Sequence, residues 1–216
     1  MRGRLPEASA PHTRSDGDLF YVPASTREEA AERLLRVLDR ARATYGLDPT
    51  RDVQVLSPMR RGPFGTDALN ALLQQALNPA KGLIEGEPSS ALRPRDKVMQ
   101  MRNDYDRDVY NGDLGEVRSI VGGSVFVGMD GREVQYERQQ LDALVLAYAS
   151  TVHKVQGSEF PAVVLVMHGA HHMLLSRALL YTAITRGKKL VVLLGEPRAF
   201  ERAVRNEASA VSNSRL

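Results

Sequence analysis

The sequence predicts an α/β fold in which a parallel-sheet domain is interrupted once by a small β-barrel. Three observations predict it. Short apolar runs rich in Val and Leu, at Val53–Leu56, Leu144–Ala149, Val163–Met167 and Leu190–Leu194, read as strands buried on both faces. Helical periodicity separates several of them. Between about Asp96 and Glu137 the pattern changes to short strands punctuated by Asn111-Gly112, Gly122-Gly123 and Asp130-Gly131, pairs that tolerate the positive φ of tight turns.

The elements follow in order. Met1 to Gly17 is polar, holds two prolines and reads as a tail or linker. Leu19–Val22 is a short strand. Ser25 is the expected N-cap of the first helix, with Glu28 completing a capping box. Ala30, Leu34, Val37, Leu38 and Ala41 give that helix one apolar face, to about Tyr45, where Gly46 ends it. Val53–Leu56 leads into the loop SPMRRGPFG, and Thr66 opens a second helix that Asn78-Pro79 stops near Leu77. Pro79 to Pro94 reads as a surface crossing. Lys97–Met101, Gly115–Ile120, Ser124–Val127 and Glu133–Tyr136 are the barrel strands. The chain then returns to α/β character, with a helix from about Ser176 to Ile184 and a last one opened by Pro197 and running to about Asn206. The tail Glu207–Leu216 is small and polar.

Composition bounds the function classes. The chain has 216 residues, 43% hydrophobic, enough for a core. No apolar run is long enough to cross a membrane, and the N-terminal stretch lacks a signal core, so a cytoplasmic location is expected. Cysteine is absent, which excludes disulfides and thiolate metal sites. The formal charge is only +3, compatible with nucleic-acid binding without arguing for it. No G-x-x-x-x-G-K-[ST] occurs, and no carboxylate pair follows a strand in the manner of a magnesium site.

The residues that carry chemistry lie in two stretches. TVHKVQGSEF, at Thr151–Phe160, resembles motif V of superfamily 1 helicases, and YTAITRGKK, at Tyr181–Lys189, resembles motif VI. The strand–loop–helix unit with LSPMRRGPFG and ALNP resembles motif IV of the RecD-like branch. The resemblance runs from about Leu19 to about Asn206 and is to the C-terminal part, domains 2A and 2B, of a RecD2-like superfamily 1B DNA helicase. It implies a RecA-like domain 2A, interrupted by an SH3-like barrel, 2B. The implied limits are 1–18 for the tail, 19–94 and 144–206 for the two parts of 2A, 95–143 for 2B, and 207–216 for the C-terminal tail. It further implies ATP with Mg2+ in an intact enzyme, single-stranded DNA as partner, 5′-to-3′ movement, and a missing RecA-like domain 1A that brings the P-loop. This chain alone is then expected to be inactive.

Residue by residue, the resemblance places Arg186 across a nucleotide cleft at the γ-phosphate. A guanidinium is always charged and offers a planar fork to phosphoryl oxygens. The bland alternative is an arginine that meets its own helix terminus. Gln156, Gly157 and Glu159 are expected at the ATP cleft, with Glu159 able to accept from a ribose hydroxyl. Arg60 and Arg61 offer a further phosphate contact. Lys188 and Lys189 read as a solvated turn. Thr151, His153 and Lys154 face DNA, each able to donate to phosphate oxygens. Asn103, Tyr105 and Arg107, on the barrel loop NDYDRD, are a second DNA candidate, with Tyr105 placed to stack on a base. Asn70 reads as a packing or capping residue. No metal site is expected, since His153 is remote in sequence from His168, His171 and His172. Two other functions compete: a stand-alone nucleic-acid-binding module, and the matching half of a Pif1-like, Dda-like or relaxase-helicase protein.

Overall fold

The computed structural model describes residues 18–79 and 92–206. The expected N-terminal tail, the centre of the Pro79–Pro94 crossing and the C-terminal tail lie outside these residues. The described elements are β1 (Asp18–Pro23), α1 (Arg27–Tyr45), β2 (Val53–Ser57), α2 (Thr66–Leu77), β3 (Lys97–Gln100), β4 (Leu114–Val121), β5 (Ser124–Met129), β6 (Arg132–Tyr136), β7 (Leu144–Leu146), β8 (Ala149–Thr151), β9 (Phe160–Met167), α3 (Arg177–Ile184), β10 (Gly187–Gly195) and α4 (Pro197–Arg205). They fall into two compact units, one formed by the chain up to Ala68 and from Ser150 onward, the other by Leu69–Ala149. The expected limits at 95 and 143 fall inside the second unit.

The first unit is α/β. Its sheet runs β1-β10-β9-β2-β8, and the pairs β1–β10, β10–β9 and β9–β2 are parallel. β2 is buried along its whole length, and every residue of β9 except Pro161 is buried, as strands covered on both faces must be. α1 buries Ala30, Leu34, Leu38 and Ala41, and Gly46 closes it at φ 65°. The cap is displaced by one residue from the expected Ser25. Thr26 accepts from the Glu29 backbone, and the Glu29 carboxylate takes the Ser25 N–H at 2.8 Å. The cap is therefore Thr26, and the Glu29 carboxylate reaches back to the residue before it.

The second unit holds an antiparallel sheet in the order β6-β5-β4-β3-β7. Val98, Val117, Val125, Val127, Met129 and Tyr136 are the centre of its core. Asp130 and Gly131 both have positive φ at the β5–β6 turn, as the Asp-Gly pair predicts. The run Leu144–Ala149 is not the single strand expected of it. Leu144–Leu146 pairs antiparallel with β3, and Ala149 begins a separate strand. The Asn70 side chain imposes the break. Its amide donates to the carbonyls of Leu146 (3.0 Å) and Ala149 (2.9 Å), and its oxygen accepts the Ala149 N–H at 2.7 Å. A side chain thus satisfies backbone groups that a partner strand would otherwise take.

A buried carboxylate orders the same unit. Asp96, fully buried, accepts from Gln74 Nε2 (2.6 Å), Asn78 Nδ2 (2.8 Å), the Arg93 N–H (2.7 Å) and the Tyr148 hydroxyl (2.9 Å). Burial first, and Asp96 second, raise the Tyr148 phenol far above its ordinary value.

Candidate nucleotide and nucleic-acid site

Thr151–Phe160 folds as a single 3-10 turn, Val152–Val155, between β8 and β9. Val152 and Val155 are buried three residues apart, the period at which such a turn repeats its face. This directs His153 and Gln156 to solvent, while Thr151 and Lys154 are half-buried. Gly157 sits at φ 90° with open space where a Cβ would stand. The glycine answers the backbone conformation, since no neighbour crowds it.

The structure joins this turn to the end of α3. Arg186 Nη1 donates to the Ser158 carbonyl at 3.1 Å, Nε to the Thr182 carbonyl at 3.2 Å, and Nη2 to Thr185 Oγ1 at 3.2 Å. Its own carbonyl accepts the Phe160 N–H at 2.8 Å. These bonds all go to neutral oxygens, so the guanidinium charge is left without a carboxylate among them. The bond to Thr182 also realises the helix-terminus reading. The side chain is held at a helix end and tied to the turn.

Glu159 is exposed and pairs with Lys188 Nζ at 2.9 Å. The Lys188 contact holds its carboxyl below the ordinary value. The sequence did not announce this partner. Lys188 and Lys189 belong to β10 and not to a turn; a register shift between Gly187 and Leu190 leaves them in a bulge. Gly187 is needed there, since a Cβ would stand 2.5 Å from Val191 Cγ2.

In the loop after β2, Arg60 and Arg61 are exposed. Arg60 Nε pairs with Asp67 Oδ1 at 3.1 Å, in the first turn of α2. Gly65 lies beneath both carbonyls: a Cβ would collide with those of Arg60 and Arg61. Phe64 anchors the loop through a stacked contact with His168, centroids 4.2 Å apart and 11° between planes, and an edge contact with His171. His168 Nε2 meets Glu196 Oε1 at 2.7 Å. His171 is 2% exposed, and its Nε2 has no hydrogen-bond partner among the described residues. Burial, and then His168, push it down to about 4. The histidines are packing elements of this loop; among the described residues no cluster of His, Cys, Asp or Glu could hold a metal ion.

Asn103, Tyr105 and Arg107 belong to the second unit. Arg107 is committed internally: Nη2 and Nε meet Asp104 Oδ2 at 2.5 and 2.9 Å, Nη1 reaches the Gln135 carbonyl, and the guanidinium lies 4.5 Å from the Tyr136 ring centroid. Asn103 Nδ2 donates to the Tyr105 hydroxyl at 3.2 Å. Tyr105 is 76% exposed.

The charge is unevenly shared. Residues 150–206 carry eight Lys or Arg against three Asp or Glu, whereas the described part of 69–149 carries eight against ten. No helix among the described residues is long and apolar enough to cross a membrane.

Comparison with known proteins agrees with this division. The UvrD-like helicase C-terminal domain matches residues 146–194, and the ATP-dependent RecD-like DNA helicase SH3 domain matches residues 69–137. An ATP-dependent RecD2 DNA helicase of Deinococcus radiodurans is 42% identical over 167 residues, which cover 76% of this chain and 23% of that protein. A RecBCD enzyme subunit RecD of Mycobacterium tuberculosis is 34% identical over 213 residues, 97% of this chain and 34% of the relative. The chain thus spans about a quarter to a third of the length of these relatives. In fold, a crystal structure of Pif1 helicase from Bacteroides, in complex with ADP-AlF3 and single-stranded DNA, is similar with a TM-score of 0.53 at 19% identity, over 84% of this chain and 48% of that one.

Proposed function

This chain belongs to the RecD-like DNA helicases as a C-terminal region, and from that membership we propose that it is the C-terminal motor half of an ATP-dependent helicase moving 5′ to 3′ on single-stranded DNA. Its first unit is a RecA-like domain, 2A, and its second an SH3-like barrel, 2B, that interrupts it. The other half of the ATP site comes from a RecA-like domain 1A bearing the P-loop, and the protein works in the cytoplasm. One observation carries the proposal: the Arg186 guanidinium ties the end of α3 to the Ser158 carbonyl of the His153–Lys154 turn while its charge has no carboxylate partner in those bonds.

In this reading Arg186 turns to the γ-phosphate when the two domains close and stabilises the charge that develops on phosphoryl transfer. Gln156, Gly157 and Glu159 border the nucleotide, Glu159 exchanging Lys188 for a ribose hydroxyl, and Arg60 or Arg61 adds a phosphate contact. The ligands of Mg2+ are assigned to the partner domain 1A, with the P-loop. Movement of Arg186 away from Ser158 would reset the adjoining turn, through which Thr151, His153 and Lys154 hold DNA phosphates. Arg107 is left out of the proposed DNA track, because Asp104 already holds its guanidinium.

The test is Arg186→Ala and Arg186→Lys in the intact enzyme, assayed for ATP turnover at saturating DNA. Alanine should lower turnover by about 10³ or more with DNA affinity nearly unchanged. Lysine keeps the charge but loses the fork and should rescue poorly. Near-normal turnover in the alanine variant would remove Arg186 from the chemistry and leave a DNA-binding module.

A further inference from the structure

We infer that the face of the second unit built by residues 102–113 and 130–133 binds an extended, arginine-bearing segment of a partner protein. The first observation is charge. These two stretches carry six Asp or Glu and three Arg, within a chain whose formal charge is +3. The arginines are already engaged: Arg102 with Asp142, Arg107 with Asp104, and Arg132 with Asp108. What the face offers a visitor is therefore negative.

The second observation is aromatic. Tyr105 and Tyr110 are 76% and 44% exposed and meet edge to face, centroids 6.1 Å apart. An exposed tyrosine pair offers flat apolar faces that a ligand can cover. Tyr110 is held firmly, its hydroxyl donating to Asp108 Oδ1 at 2.7 Å and its N–H to Asp113 Oδ2 at 2.7 Å. A ring fixed in this way loses little further freedom on binding.

The third observation is shape. Beside Tyr110 opens a cleft of about 490 Å³, walled by Asp108, Asp113, Asp130 and Arg132, with Leu114 and Met129 as its apolar lining. Carboxylates around an apolar floor, next to tyrosine faces, suit a guanidinium on an apolar stem. The ring pair extends the surface beyond the cleft, so the ligand is longer than one side chain. A nucleic acid would bring its phosphates against aspartates and is disfavoured.

The experiment is a fluorescence-anisotropy titration of the purified 216-residue chain. The probes are a fluorescein-labelled Gly-Arg repeat nonapeptide, its Gly-Glu counterpart, and a labelled nine-residue oligothymidine. The Gly-Arg peptide should bind saturably and the Gly-Glu peptide should not. Tyr105→Ala and Asp130→Asn should each weaken the Gly-Arg peptide by about fivefold and leave oligothymidine unaffected. Both variants should fold, since Tyr105 is exposed and asparagine tolerates the positive φ of Asp130; a urea melt checks this. No saturable binding of the Gly-Arg peptide, affinity unchanged in both folded variants, or weakening of oligothymidine in place of the peptide would overturn the inference. The proposed ATP chemistry is untouched by any of these outcomes.

Discussion

Acidification should destabilise the first unit through His171. The ring is 2% exposed, packs edge-on against Phe64, and accepts the His168 N–H at Nδ1 (3.2 Å), which leaves the proton on Nε2. The titratable groups beside it are His168 and, across His168, Glu196. Burial pushes His171 from 6.5 to about 4. The unfolded chain therefore takes up a proton that the folded chain refuses. Its contribution to stability is complete above about pH 6.5, falls as the pH drops, and is lost below about 4. At roughly 1.4 kcal/mol per pH unit, the full span amounts to about 3 kcal/mol, and about 2 kcal/mol once part of the shift is assigned to relaxation around the ring. The assay is urea unfolding at pH 7.5, 6.5, 5.5 and 4.5 on the wild type and on His171→Asn. Asparagine keeps an acceptor near Nδ1 but cannot titrate. The variant should start about 1–2 kcal/mol less stable, for lost packing, and the gap should close as the pH falls. Parallel curves would refute the reasoning, since other groups titrate equally in both proteins.

Three other outcomes are expected. Gly65→Ala should cost about 2 kcal/mol in a thermal or urea melt, because the new methyl meets the Arg60 and Arg61 carbonyls; a neutral result would mean that the loop yields freely. Tyr148→Phe should cost about 1 kcal/mol, and Asp96→Ala about 2–4 kcal/mol, because it strands the buried donors of Gln74 and Tyr148, both read from urea midpoints. In the intact enzyme, replacing His153 and Lys154 by alanine should weaken single-stranded DNA binding equally for all sequences, with a loss that shrinks as salt rises; unchanged affinity at low salt, by anisotropy, would defeat that assignment.

What was legible in the sequence was local. Gly46, Pro197 and the Asp130-Gly131 pair punctuate the chain by their own backbone preferences, and each stands where the pattern predicts. The missed cap shows the limit of such signals. Ser25 and Thr26 are both good caps, each with a glutamate three residues on, so the pattern that selected Ser25 fits Thr26 equally, and the structure uses Thr26. The split of Leu144–Ala149 was hidden because an apolar run does not mark where one strand ends, and the residue that divides it, Asn70, is more than 70 positions away. Lys188 and Lys189 were hidden by polarity, since a bulge at the start of a strand carries charge without leaving the strand. The motif residues were readable as types, but the bond from Arg186 to Ser158 and the pair of Glu159 with Lys188 depend on β9 and β10 lying side by side.

The Asp96 carboxylate has a consequence for how its unit changes over time. Its donors come from α2, from the approach to β3, and from Tyr148 near the unit's last residues. One side chain therefore fastens the unit's first segment to its last, much as a drawstring closes a bag. Whatever is sewn between them, including the turns at Gly122-Gly123 and Asp130-Gly131, is free to lengthen, shorten or acquire new surface without loosening the neck. Diversity among relatives should accumulate in those hairpins, while Gln74, Asn78, Asp96 and Tyr148 change together or not at all.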